Sequence, residues 1–284
     1  MPFLFSKDAM VWQGQLNLEY TYQAEKTILS KAFFQAPLKV QRPFYPEGQP
    51  ICHTVMLHTA GGIVGGDRLL YQIQCQPEAQ SLLTTATAGK VYRSNGQFAY
   101  QTVEINLAEK SYLEWLPQET IIFNQACYQQ DLRVNLADQA VFCGWEIQRL
   151  GRTAREEQFL SGEWRSRWEI WQNEQPIWID KQQLRGSENT VNSPNVLNQM
   201  PLLGTLIGLG IPLSKNILEQ AQNLTQELRT LGKIGLTFTQ NDGLVCRYRG
   251  DSTQEVYQIF RQLWSLLRLT YRHQAAIKPR VWPV

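Results

Sequence analysis

The chain has 284 residues, of which 43% are hydrophobic, 11% aromatic and 18% charged, and that composition excludes wholesale disorder. Twenty-seven basic residues stand against 25 acidic ones, scattered rather than clustered, so no nucleic-acid footprint stands out. The longest nearly apolar run, residues 201–213, is too short to cross a bilayer, and the first dozen residues lack the pattern of a secretory leader; the expectation is a soluble, cytoplasmic protein with no membrane partner.

Most of the sequence has the period of strands. Residues 15–22 read Q-L-N-L-E-Y-T-Y, with Leu16, Leu18, Tyr20 and Tyr22 on one face and polar side chains on the other. Residues 51–57, 69–75, 81–87, 102–107 and 132–136 have similar character, separated by Gly and Pro. Asn95-Gly96 predicts a hairpin turn, because both residues tolerate positive φ. Short strands at intervals of about ten residues predict a sandwich or stacked sheets. Residues 185–199 read as a long polar loop, and the apolar run after them needs burial in the same core.

Towards the C-terminal end the period changes. Ser214 is placed to cap a helix reaching Leu231, with Ile217, Ala221, Leu224 and Leu228 on its stripe and Gly232 as its stop. Residues 233–247 read as a hairpin turning at Asn241-Asp242-Gly243. A second helix opens at Asp251 or Ser252 and turns Val256, Ile259, Phe260, Leu263, Leu266 and Leu267 to one side. No repeat and no low-complexity tract is visible. The expected fold is one mainly β domain over 1–284, a β-rich α+β arrangement of stacked sheets with two helices near the C-terminal end.

Chemistry is harder to find. The five cysteines are widely and unequally spaced, with no C-x-x-C pair, so no zinc site or disulfide framework is encoded locally and reduced thiols are expected. Cys52-His53 and His58 resemble a metal cluster. On a strand, however, His53 and His58 point to opposite faces, and Cys52 and His58 stand about 20 Å apart. What stays open is a single ligand offered to a transient or shared site. Gly61-Gly62-Ile63-Val64-Gly65-Gly66-Asp67-Arg68 implies a sharp bend or a close backbone approach. It lacks the ending of a phosphate loop, and Asp67 is either part of a structural turn or an exposed acid presented by it. No serine-hydrolase elbow occurs. Glu114 and Glu119, with nine tryptophans as a platform, sketch a carbohydrate-binding or carbohydrate-active β-sandwich, though acids at that spacing are commonly structural.

The order of several passages goes further. Pro37-Leu38-Lys39-Val40-Gln41-Arg42-Pro43-Phe44-Tyr45-Pro46-Glu47-Gly48 is followed by the Gly-rich passage from His58 to Arg68. Then come Thr84-Thr85, Lys90-Val91-Tyr92-Arg93-Ser94, and Leu113-Glu114-Trp115-Leu116-Pro117-Gln118-Glu119-Thr120-Ile121. Trp145-Glu146-Ile147 with Gly151-Arg152 and a closing Pro279-Arg280-Val281-Trp282-Pro283 complete the series. This series resembles the urease accessory protein UreD family, called UreH in some organisms. The resemblance implies stacked sheets with two helices near the C-terminal end. It also implies a scaffold and nickel conduit rather than an enzyme, which binds apo-urease and, with UreF and UreG, helps deliver nickel. No catalytic residue and no tightly bound cofactor is then expected, only nickel in transit, and the GTPase role falls to UreG. For such a passage the candidates are Asp67, His58, Glu119 and Glu146, since imidazole and carboxylates in a wet channel suit transfer better than thiolates. The same four residues could instead brace turns and interfaces through hydrogen bonds.

Overall fold

The structure, a computed structural model, describes residues 12–228, 230–240 and 243–282. The leader expectation at residues 1–11, the Asn241-Asp242 turn and Pro283 lie outside these residues. The chain begins with β1 (Gln13–Gln23), β2 (Lys26–Gln35), β3 (Leu38–Val40), β4 (Ile51–His58), β5 (Arg68–Cys75) and β6 (Gln80–Thr85). It continues through β7 (Gly89–Val91), β8 (Ala99–Leu107), β9 (Tyr112–Trp115), β10 (Thr120–Ile122), β11 (Cys127–Leu136) and β12 (Val141–Leu150). The remainder is β13 (Glu163–Gln172), β14 (Gln175–Arg185), α1 (Glu188–Asn192), β15 (Leu202–Leu209), α2 (Lys215–Glu227), β16 (Lys233–Phe238), β17 (Gly243–Gly250) and α3 (Thr253–Arg272).

Two sheets stack as expected. The first has the order β14-β13-β11-β8-β5-β1-β2, and the second β16-β17-β15-β12-β9-β6-β4-β3, with β7 and β10 paired at its side. From β4 to β13 the chain crosses from sheet to sheet, like a flattened coil. Neighbours within a sheet are therefore parallel, β4–β6–β9–β12 in one and β5–β8–β11–β13 in the other. Successive strands of one sheet begin about thirty residues apart without any repeat in the sequence. This corrects the expected hairpin at Asn95-Gly96. Gly96 does have φ of 106°, but β7 pairs with β10 whereas β8 pairs with β5 and β11. The turn is a corner between layers.

Burial explains the layering. Leu16, Leu18 and Tyr20 of β1 enter a core between the sheets with Cys52 and Met56 of β4 and Phe142 of β12. The opposite face of the second sheet, with Leu82, Cys143, Trp145 and Ile147, packs on Val256, Ile259, Phe260, Leu263 and Leu267 of α3. Ser252 caps α3 by accepting from the Glu255 backbone N–H at 3.2 Å. α2 ends at Glu227 instead of reaching Leu231, which is 81% exposed. The Glu255 carboxylate accepts from the backbone N–H groups of Leu231 and Gly232 at 3.1 and 3.2 Å, which draws the chain out of the helix and towards β16. The polar stretch read as a loop contains α1, capped by Ser187 accepting from Thr190 N.

A buried ion cluster ties α3 to the second sheet. The Arg268 guanidinium, fully buried, donates from Nε and Nη2 to Glu114 at 2.7 and 2.8 Å, and from Nη1 and Nη2 to Glu47. Glu114 also accepts from Tyr112 and Trp264, and Glu47 from His53 Nε2 at 2.6 Å. Burial alone would raise the Glu47 carboxyl, but the bonds from His53 and Arg268 prevail and hold it below its ordinary value.

Replacing Arg268 by Leu leaves two buried carboxylates without their cation, and denaturant unfolding should register a loss of about 3–5 kcal/mol. Adding Glu114→Gln should restore part of it. Because the native pKa of Glu47 is depressed, its share of stability is present above the ordinary value of 4.5 and disappears as pH falls through the native value. A wild-type unfolding midpoint in Arg268→Leu would contradict the assignment.

Candidate functional site

At one end of the inter-sheet core the side chains turn polar. The inward residues of β12 run Phe142, Gly144, Glu146, Gln148, and facing them Gln101, Gln130 and Ser166 stand side by side on β8, β11 and β13. A cavity of about 480 Å³ results, lined by Gln101, Gln130, Glu146 and Gln148 together with His58, Trp115 and Trp168. The loops carrying Gly61 and Thr87, with Lys90 of β7, all three residues exposed, form its rim.

His58 ends β4. Its Nδ1 lies 3.1 Å from the Ala60 carbonyl oxygen, which can only accept, so Nδ1 carries the hydrogen and, in the neutral imidazole, Nε2 holds the lone pair. That Nε2 is buried without a protein partner. A carbonyl fixing the far nitrogen is how metal-binding imidazoles are oriented. His53 leaves the same strand on the opposite face and belongs to the Arg268 cluster, so the two histidines do not converge.

Glu146 is 4% exposed and accepts from Ser166 Oγ at 2.9 Å, Trp168 Nε1 at 2.6 Å and Gln130 Nε2. Burial is the largest influence on it and outweighs these donors, raising its carboxyl to about 7. Ser166 and Trp168 are not among the sequence candidates, although the alternation Trp164-Arg165-Ser166-Arg167-Trp168, which turns Trp and Ser inward and Arg outward, is a signal that finds them. Gln101 and Gln130 carry no such signal, because a lone glutamine on a strand reads as surface.

The other two candidates stand elsewhere. Asp67 is 5% exposed, not an exposed acid, and its Oδ2 accepts from the Val64 backbone N–H at 2.9 Å. It thereby closes the Gly-rich turn that rims the cavity. The positive φ of that turn sits at Gly66, whereas Gly62 and Gly65 are required by close approach. A Cβ on Gly62 would meet the Lys90 carbonyl oxygen at 2.8 Å, and one on Gly65 the Gln97 carbonyl oxygen at 2.8 Å. Glu119 is half-buried on the helix side, where its Oε2 accepts from the Tyr257 hydroxyl at 2.8 Å.

Among the described residues no three His, Cys, Asp or Glu side chains come together as a closed metal cage would need. Four of the five cysteines are buried, and burial pushes the Cys75 and Cys246 thiols up to about 12, which keeps them protonated. Glu114, half of the imagined sugar-cleaving pair, is locked in the Arg268 cluster. Six tryptophans of the supposed platform, including Trp145, Trp164 and Trp264, are buried in the cores.

The UreD urease accessory protein family matches residues 13–283. A urease accessory protein UreD of Nostoc sp. (strain PCC 7120) is 54% identical over 271 residues, spanning 95% of this chain and 96% of that protein. The UreD of Microcystis aeruginosa is 51% identical, over 96% of this chain and 99% of its own length. That of Nostoc punctiforme is 52% identical, over 98% and 99%.

The raised Glu146 carboxyl has a signature in stability. Unfolded, it releases its proton near 4.5 and folded near 7, so the folded state binds the extra proton between these values. Stability should therefore fall as pH rises from 4.5 through 7, by at most about 3 kcal/mol from this group. Denaturant unfolding of Glu146→Gln between pH 5 and 8 should show that slope flattened. An unchanged slope would mean that the carboxyl titrates normally.

Proposed function

The chain belongs to the UreD family of urease accessory proteins, and from that premise we propose that it serves urease maturation as a scaffold and nickel conduit. In this reading it binds apo-urease and, together with UreF and UreG, assists nickel insertion into the urease active site. It performs no turnover of its own, and it acts in the cytoplasm.

The observation that carries the reading is the inter-sheet cavity. An ion that must be handed on needs ligands that are oriented but few, and a route that stays wet. His58 Nε2 is oriented and bare, and Glu146 brings a buried carboxylate to the same cavity. Borderline imidazole and hard carboxylate together suit nickel(II) without the grip of a four-ligand cage. Glu119 would receive the ion on the helix side. Asp67 would act from the rim, by holding the turn that shapes the entrance.

Deletion of the gene should leave urease made but nickel-poor. The finer test uses His58→Gln and Glu146→Gln in a reconstituted mixture with apo-urease and the UreF and UreG partners. Both variants should fold and assemble, while nickel delivery slows by about tenfold, as expected when one ligand of a weak site is lost. Nickel per urease site, read alongside complex yield, decides the matter. Full loading with both variants would contradict the conduit.

A further inference from the structure

The interior cavity has a neighbour on the helix side, and the two share a wall. The residues lining both are Ala86, Thr87, Ala88 and Gln118, and of these only Gln118 is a buried polar side chain, 7% exposed. The second cavity also holds Glu119 and Tyr257. Gln118 thus stands between His58 and Glu146 on one side and Glu119 on the other.

Hydrogen bonds at Tyr257 determine which end of the Gln118 amide faces which way. The Tyr257 oxygen lies 2.8 Å from the Glu119 backbone nitrogen, 2.8 Å from Glu119 Oε2 and 2.9 Å from Gln118 Oε1. A phenol has one proton to give and two lone pairs. The Glu119 backbone N–H donates to one lone pair. A phenol keeps its proton at neutral pH, and here donates it to the Glu119 carboxylate, the stronger acceptor. With Oε1 towards the phenol, Gln118 would set one acceptor against another, and its Nε2 is buried without a partner. A half-turn of the amide removes the opposed acceptors and gives Nε2 a partner. Nε2 then donates to the remaining lone pair of Tyr257, and the hydroxyl is fully matched.

The turned amide leaves Oε1 as the buried atom without a protein partner. We infer that Gln118 presents this carbonyl oxygen as a neutral ligand to a divalent cation crossing between the two cavities, the step that connects His58 and Glu146 to Glu119. The inference rests on the conduit reading above and gives it a residue of passage. A neutral oxygen is a hard but weak donor, suited to an ion that must leave again.

The test is calorimetric titration of the full chain with nickel(II) chloride, joined to nitrogen-15 spectra of the glutamine side-chain amides. Gln118→Leu removes the oxygen and Gln118→Asn withdraws it, and each should weaken nickel binding about threefold or more. In the wild type, substoichiometric nickel should broaden the Gln118 amide resonance, assigned by its absence in Gln118→Leu, and spare that of Gln183 on β14. Before any metal is added, one Gln118 amide proton should resist exchange, and Tyr257→Phe should abolish that protection. Nickel binding by the wild type with unchanged affinity in both Gln118 variants would overturn this inference alone. Absence of nickel binding by the wild type would overturn the conduit and this inference with it. If Gln118→Leu fails to fold, Gln118→Asn and the broadening decide.

Discussion

Arg268 places a fully buried guanidinium between Glu47, from the chain ahead of β4, and Glu114 on β9. Apolar contacts between a helix and a sheet tolerate sliding, whereas a forked cation held by two carboxylates sets a register. Trp264, one turn earlier on α3, donates to the same Glu114 and packs against Trp145 and Trp282. Eleven residues before Arg268, about 16 Å along the helix axis, Tyr257 reaches Gln118 and Glu119. The ion cluster at one end of α3 therefore positions the hydroxyl that organises the wall at the other.

The coil of alternating strands explains why a cavity exists at all. Each full turn of two crossings adds one strand to each sheet, so inward side chains from successive turns line up in rows. One row is polar, with Gln101, Gln130 and Ser166 in register, and it faces Glu146 and Gln148. Polar side chains in a sandwich interior are costly unless they bond to one another or to water. Here Glu146 gathers three donors, while His58 Nε2 and the outer atom of Gln118 have no protein partner. Both unpartnered atoms belong to residues that line the cavity.

Much of the fold was legible in the sequence, for a physical reason. β1 has one buried and one wetted face, so its apolar residues alternate, and α3 shows its stripe because one side meets solvent. β12 and β15 are buried on both faces, between the first sheet and α3, so alternation is absent and neither reads as a strand. Parallel pairing was invisible because it depends on crossings between layers, and Asn95-Gly96 looks the same at a corner as in a hairpin. At the site, His58 and Glu146 were accessible through their chemistry and the family resemblance. Gln118 was not, since its significance comes from a proton shared with a tyrosine 139 positions away. Asp67 drew attention through its glycines, and its backbone partner Val64 could not be seen without the turn's geometry.

The central claim is that the cavity between the sheets accepts a divalent cation beside His58. Anomalous diffraction at the nickel edge, from crystals of the full chain soaked in nickel(II) chloride, tests it directly. The account predicts a peak inside the cavity within bonding distance of His58 Nε2, about 2 Å, and its loss in His58→Gln. Peaks confined to the outer surface, with the cavity holding only water, would contradict it.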